Sequence, residues 1–212
     1  MKHGTGEPTA MKHEMKTKPE LASRRLSKPD RRRQLLDMAL QVVREEGADR
    51  LTLGHLAIRA EVSKPVVYEH FGTRSGLLIA LYKLLDARQS DALRQALTTG
   101  DRNLTETAAL LAAAYIHCAV DTGGEWYAIG AALAGSEEKG AVLQELLGGY
   151  VQLFAGVLGP HCELPEAELA RRCVGLVGAG EALAAAMVQG TYTEADAASA
   201  FAALIRGGLS SI

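Results

Sequence analysis

The sequence predicts an all-α protein, and three features lead to this fold class. Apolar residues recur every three to four positions along most of the 212-residue chain, which is the spacing that lines one face of an α-helix. Glycine, proline and N-capping residues interrupt this pattern where helices would end and begin. No segment alternates apolar and polar residues in the way that predicts a half-buried β-strand. With 48% hydrophobic residues, the chain can bury a large core.

The first helix follows a polar N-terminal segment. Residues 1–28 contain almost no apolar side chains, so we expect a flexible basic arm that cannot bury enough surface to order itself. Helical spacing begins near Asp30 and continues to about Glu46, where Gly47 ends it. The apolar stripe of this helix consists of Leu35, Met38, Ala39, Val42 and Val43.

Two short helices joined by a tight turn are predicted next. Thr52 is placed to cap the first of them, with Leu51 and Leu56 forming a hydrophobic staple across its start. Ser63 is placed to cap the second, and Pro65 lies in its first turn, where a missing N–H costs little. Such a helix-turn-helix presents its second helix to the major groove of DNA.

The residue order here resembles the DNA-binding domain of the TetR (tetracycline-repressor) family of bacterial transcriptional regulators. The resemblance centres on a helix-turn-helix at about 52–71. It implies a DNA-binding domain at 29–88, followed by a helical effector-binding and dimerisation domain at 89–212. Glu61 stands where the family usually has glycine, and Arg74 where it usually has lysine. The matching positions are Thr52, Leu56, Ala57, Ala60, Val62, Ser63, Val67, Tyr68, Phe71 and Leu77.

A long helix and several further helices complete the predicted fold. Thr73 can cap the long helix, whose apolar positions continue until Gly100. The last helix begins at a near capping box made by Thr193 and Asp196. The helices after the long one are expected at about 103–121, 124–135, 138–158, 165–189 and 193–209.

Charge is divided unevenly along the chain. Residues 1–74 hold 15 Lys and Arg against 10 Asp and Glu, whereas residues 75–212 hold 8 against 15. The front of the molecule is therefore attracted to phosphate, and the acidic remainder helps to keep the body of the protein off a duplex. For the run from Arg31 to Arg33, a solvated helix face is the alternative to DNA contact.

The predicted recognition helix, about Lys64 to His70, turns its outer face to solvent when Val67 is buried. Lys64 can donate to guanine O6 or N7, and Pro65 and Val66 can pack on thymine methyl groups. The family resemblance implies base or backbone contacts for these residues and for Tyr68, whose alternative role is a core aromatic. The predicted DNA-binding residues are Thr52, Ser63, Lys64, Pro65, Val66, Tyr68, His70 and Arg74, with Thr52, Tyr68, His70 and Arg74 expected at phosphates.

One recognition helix reads too few base pairs for useful specificity, so we expect a homodimer. Two-fold symmetry would place the recognition helices about 34–36 Å apart on a pseudo-palindromic operator. Residues 173–188 are crowded with Gly and Ala, which lets helices approach closely. The resemblance implies a four-helix bundle made by the last two helices, about 165–209, of each subunit. An ordinary intrachain core is the alternative.

Aromatic residues in the middle helices indicate a ligand pocket. A pocket needs an apolar wall with a few polar anchors, and these helices supply both. A simple core is the alternative for each aromatic residue taken singly. Because no Lys or Arg cluster in this half suggests a phosphorylated ligand, we expect a small apolar or aromatic effector. The predicted pocket residues are Tyr115, Cys118, Trp126, Tyr127, Phe154 and Glu181.

Together these features predict a sequence-specific DNA-binding regulator, in which a small ligand releases a homodimeric repressor from its operator. A ligand that favours wrongly spaced recognition helices weakens DNA binding. By thermodynamic linkage, DNA weakens ligand binding by the same factor. The long helix after Thr73 is the expected lever. The alternative function is a helical protein-interaction module that does not bind DNA.

Other function classes lack support in the sequence. There is no GxSxG, HExxH or CxxC motif and no phosphate-cradling glycine loop, so no catalytic residues, metal site or cofactor are expected. Apolar runs break before the ~18 residues that span a bilayer, and no secretory signal is visible, which predicts a cytoplasmic protein. Cys118, Cys162 and Cys173 lack metal-ligand spacing and are expected as reduced thiols.

Overall fold

The computed structural model of the chain consists of α-helices joined by short turns. It describes Met1 and residues 26–97, 101–122, 124–133 and 137–210, without the side chains of Glu137 and Lys139, so the predicted arm at 1–28 lies almost wholly outside the described residues. No strand occurs in the described ranges, and the all-α prediction is confirmed. In chain order the helices are α1 (Lys28–Glu46), α2 (Leu53–Arg59), α3 (Lys64–Phe71), α4 (Arg74–Leu97), α5 (Leu104–Asp121), α6 (Glu125–Ala132), α7 (Glu137–Leu158), α8 (Glu166–Val188) and α9 (Glu194–Leu209).

Side-chain caps begin several helices where the sequence predicts them. The Thr52 hydroxyl accepts from the backbone N–H of His55 at 3.0 Å, and the Thr193 hydroxyl accepts from that of Asp196 at 3.1 Å. The Thr73 hydroxyl accepts from the N–H of Gly76 at 3.0 Å at the start of α4. Local sequence therefore fixes these boundaries.

The predicted side-chain cap of α3 is wrong. Ser63 occupies the N-cap position, but its hydroxyl makes no capping hydrogen bond. Pro65 has no N–H to offer, and the N–H of Val66 donates to the backbone carbonyl of Ser63 at 3.1 Å. The fixed φ of Pro65 and the burial of Val67 start this helix instead.

The turn between α2 and α3 depends on a residue in the left-handed conformation. Glu61 has φ 53°, a value that favours glycine. The N–H of Val62 donates to the carbonyl of Ala57 at 3.0 Å, which closes the end of α2. This left-handed conformation explains why the family usually has glycine at this position, and Glu61 adopts the same backbone conformation.

Two apolar cores organise the helices. The first core unites α1 to α4 and also takes in Trp126 and Ile129 of α6. The second core lies among α5, α7, α8 and α9, where Tyr115, Phe154 and Phe201 meet ring against ring. Helix α6 thus packs with the N-terminal helices, although its sequence lies far beyond them.

One described helical stretch, Gly140–His161, is long and apolar enough to cross a membrane by length and composition alone. Its Tyr150, Phe154 and Leu158 are buried in the second core. Helix α7 contacts α4 and α8. Only 22% of its most apolar part is buried, so packing inside the protein accounts for part of the apolar character of α7.

Candidate DNA-binding surface and ligand pocket

Helix α3 is held on the surface of the molecule by its apolar side. Val67 and Phe71 are buried in the first core. Gly76 sits beside the end of α3, where a Cβ atom would lie only 2.3 Å from the carbonyl oxygen of Phe71. Only glycine permits α4 to begin this close to α3. The direction of α3 is therefore fixed from both ends.

The opposite side of α3 faces solvent. Lys64 and Pro65 are exposed at its first turn, and the Tyr68 side chain is 53% exposed. Thr52 and Ser63, at the starts of the two helices, are exposed as well. Val66, in contrast, is half-buried and packs against the first core. This surface offers one cation, one hydroxyl-bearing aromatic ring and small groups to a partner.

His70 and Arg32 meet at the end of α3. Burial lowers the pKa of the half-buried His70 imidazole, so the ring is neutral at pH 7. Arg32 donates through Nη1 to the His70 carbonyl at 2.5 Å, and its guanidinium lies 4.8 Å from the ring centre of Phe71. Arg32 thus fastens α1 to α3, whereas Arg33 remains exposed.

Arg74 makes its contacts inside the protein. Its Nε donates to the carbonyl of Leu51 at 2.8 Å, and its Nη2 donates to that of Ala48 at 2.9 Å. These bonds tie the start of α4 to the 3₁₀ turn Ala48–Arg50, which leads into α2. The half-buried guanidinium is engaged with backbone carbonyls, so its contacts support a role in positioning the helix-turn-helix rather than a direct phosphate contact.

A small cavity lies among α4, α5, α6, α7 and α8. Its free space holds about one water molecule, so a larger ligand requires the walls to move apart. Five of the six predicted pocket residues line it: Tyr115, Cys118, Trp126, Tyr127 and Glu181. The remaining lining residues are Gln89, Leu93, Ala119, Thr122, Tyr150 and Ala184.

Phe154 is a correction to the predicted pocket. Its side chain is fully buried in the second core and does not line the cavity. The ring packs against Tyr115 and Phe201, with centroid distances of 5.6 and 6.1 Å. Phe154 is therefore a core residue, which was the alternative to a pocket role, because α7 turns this position toward α5 and α9.

Hydrogen bonds order the polar groups of the cavity. Tyr115 donates through its hydroxyl to Glu181 Oε1 at 3.3 Å, and Tyr150 donates to Gln89 Oε1 at 3.3 Å. Gln89 in turn donates through Nε2 to the carbonyl of Cys118 at 3.3 Å. The sequence gives no signal for Gln89, because one amide on a long helix gains meaning only once the helices pack.

A second carboxyl group lies behind the cavity wall. Burial raises the pKa of Asp86 to about 6, and its Oδ1 is buried without a hydrogen-bond partner in the described part of the chain. Burial also raises the pKa of Glu181. Next to them, Tyr82 stacks on Trp126 with 3.7 Å between ring centres. The site is thus aromatic and acidic.

An outer hollow adjoins the cavity and opens to solvent. It measures about 250 Å³ and shares Gln89, Cys118 and Thr122 with the cavity, so these residues form the wall between the two spaces. Arg44 and Arg88 line the hollow, and each is paired with a carboxylate. Arg44 pairs with the buried Glu125 and thereby connects α1 to α6, the helix that carries Trp126.

The outer faces of α8 and α9 form a shallow groove. Leu204 lines this groove and is 48% exposed. Most of the other lining residues are small. The groove is lined by Arg172, Gly175, Leu176, Ala179, Ala203, Leu204, Gly207, Gly208 and Ser210.

Comparison with known proteins places the N-terminal helices in a family. Residues 35–81, from α1 into α4, match the family model described as bacterial regulatory proteins, tetR family. Residues 35–81 therefore carry a TetR-family DNA-binding domain. The HTH-type transcriptional activator FasR of Mycolicibacterium smegmatis is 37% identical over 79 residues, which are 37% of this chain and 36% of that protein. The chain therefore matches only about a third of the length of this TetR-family relative.

Solved structures share the architecture along most of the chain. A TetR-like transcriptional regulator from Rhodococcus sp. RHA1 is 24% identical, with a TM-score of 0.63 over 87% of this chain and 98% of that one. The fatty acid degradation regulator FadR from Bacillus halodurans is 21% identical, with a TM-score of 0.64 over 84% of this chain and 95% of its own. At these identities the likeness shows the TetR fold alone.

Proposed function

We propose that this TetR-family protein is a sequence-specific DNA-binding transcriptional regulator. The exposed side of α3 carries the proposal, because its buried side fixes the helix on the first core and leaves Lys64, Pro65 and Tyr68 facing outward. Lys64 would donate to a guanine edge, and Pro65 would pack on a thymine methyl group. Tyr68 and Thr52 would hold phosphates and set the register.

The proposed regulator acts as a homodimer. The groove on α8 and α9 exposes Leu204 among small residues, which allows two copies to pack these helices together. Two-fold symmetry then presents two copies of α3 to one face of the duplex. A pseudo-palindromic operator follows from this arrangement.

The proposed effector enters the cavity and changes the spacing of the two α3 helices. Helix α4 runs from Arg74, beside the helix-turn-helix, to Gln89 and Leu93 at the cavity. Because the cavity holds about one water molecule, a ligand must displace α4 or its neighbours to fit. Displacement weakens operator binding, and DNA weakens ligand binding by the same factor. The proposed outcome is relief of repression.

A mobility-shift titration with DNA from the neighbourhood of its own gene tests the proposed function. We expect a complex that persists in excess random DNA, and we expect Lys64→Ala to lose about tenfold of the preference for operator, since one good base contact contributes about 1–3 kcal/mol. Lys83→Ala is the matched control, because Lys83 lies on α4 and pairs with Glu145. Equal binding to both DNAs by the unmodified protein would contradict the proposal and favour an interaction module without DNA.

A further inference from the structure

The charge of the cavity indicates which class of effector it accepts. Among the residues that the structure assigns to its lining there is a carboxyl group but no Lys, Arg or His. We propose that the effector is a flat aromatic cation, such as a protonated or quaternary amine on a ring system, and that anionic ligands are rejected. This inference rests on the proposed function, in which the cavity is the effector site.

Glu181 and Asp86 provide the negative charge. Neither takes part in an ion pair within the described ranges, whereas the nearby cations Lys83 and Arg94 pair with Glu145 and Asp91. A buried carboxylate without a cation is costly, and burial accordingly raises the pKa of both groups. A cationic ligand would supply the missing charge, whereas an anionic ligand would add to the repulsion.

Aromatic rings provide the second element of recognition. Tyr115, Trp126, Tyr127 and Tyr150 line the cavity from α5, α6 and α7, and Tyr82 supports the indole ring from behind. The faces of such rings attract cations, and flat ligands can stack on them. An extended aromatic body with one positive charge satisfies both the rings and the carboxyl groups.

The wall between the cavity and the outer hollow provides a route for entry. Gln89 holds that wall through hydrogen bonds of 3.3 Å to Tyr150 and to the Cys118 carbonyl. Rotation of its amide would join the cavity to the solvent-open hollow of about 250 Å³. The joined space lies near the lower end of the ~300–1,000 Å³ typical of ligand pockets, so a three-ring molecule fits once the walls also move apart.

Three tricyclic probes of similar size and different charge test the inference on the full chain without DNA, because tricyclic cations intercalate. An aminoacridine cation, neutral anthracenemethanol and anthracene carboxylate are titrated near neutral pH and followed by their fluorescence. We expect the cation to bind about tenfold or more tightly than either other probe. We expect Glu181→Gln to weaken cation binding about tenfold while leaving anthracenemethanol unchanged.

Matched variants keep the result interpretable. Glu163→Gln neutralises an exposed carboxylate in the turn between α7 and α8 and should leave all three affinities unchanged. Asp86→Asn should weaken binding of the cationic probe alone. It replaces Glu181→Gln if that variant does not fold. Three results would overturn the inference. They are tightest binding of the neutral or anionic probe, unchanged affinity for the cationic probe in both variants, and no binding of any probe. The mobility-shift titration is independent of these outcomes, so DNA binding stands or fails separately.

Discussion

At the scale of single residues, Glu61 holds a backbone conformation that its side chain disfavours. Its φ of 53° costs a residue with a Cβ atom roughly 1–2 kcal/mol relative to glycine, which is partly offset by the greater freedom of glycine in the unfolded chain. We therefore expect Glu61→Gly to raise the free energy of unfolding by up to about 1 kcal/mol. Urea denaturation measures the change.

A glycine placed inside a helix provides the control for Glu61. Gln144 is exposed in the middle of α7, and Gln144→Gly should lower the free energy of unfolding by about 1 kcal/mol. If both glycine variants destabilise the protein alike, the conformation of Glu61 carries no strain.

Asp86 makes stability depend on pH in an unusual direction. Its pKa is about 6 in the folded protein and 3.8 as the ordinary value, so the folded state binds the proton more strongly and stability falls as pH rises through this range. Asp86→Asn should therefore stabilise the protein by ~1 kcal/mol near pH 8, a value reduced for its partial exposure. The gain should shrink toward pH 4.

Thermal unfolding at several pH values measures the effect of Asp86→Asn. Asp37→Asn is the control, because Asp37 is exposed and pairs with Arg88. A gain for Asp86→Asn that stays constant from pH 4 to pH 8 would show that charge burial is not its cause.

At the scale of helices, Gly180 allows three of them to meet. A Cβ at this position of α8 would lie 2.8 Å from ring atoms of both Tyr115 and Phe201. Gly180→Ala should therefore destabilise the protein by about 1–3 kcal/mol through overpacking, despite the better helix propensity of alanine. Gly156→Ala on α7 has nothing within 4 Å of its added Cβ and should stabilise the protein by up to about 1 kcal/mol. Melting temperatures that move in the same direction would contradict this account.

Helix positions could be predicted from the sequence because their signals are local. Thr52, Thr73 and Thr193 cap helices as expected, and α5 to α9 begin within a few residues of their predicted starts. The predicted pocket residues likewise include five of the eleven that line the cavity. Spacing along one helix cannot show which helix faces it, so the inward bonds of Arg74 and the core position of Phe154 could not be predicted.

At the scale of the whole molecule, the groove on α8 and α9 predicts the oligomeric state. Leu204 lines the groove and is 48% exposed, and a stable interface needs ~1,000 Å² or more of buried surface with an apolar middle. Leu204→Glu should convert the proposed dimer into monomers, as measured by light scattering during gel filtration, because it would bury an unpaired charge.

The control for the dimer interface lies on another helix. Leu143 on α7 is 38% exposed, and Leu143→Glu should leave the mass unchanged. Dimers that persist in Leu204→Glu, or their loss in Leu143→Glu, would place the interface elsewhere on the molecule.

Helix α6 limits how freely the N-terminal helices can be combined with the C-terminal part of another regulator. Trp126 packs in the core of the N-terminal helices and also lines the cavity, while Glu125 beside it pairs with Arg44 of α1. A chimera that joins only residues 29–88 to another C-terminal domain would lose the packing of Trp126 in the first core. Biosensor designs based on the chain should therefore transfer α6, or a helix redesigned to match it, together with α1 to α4.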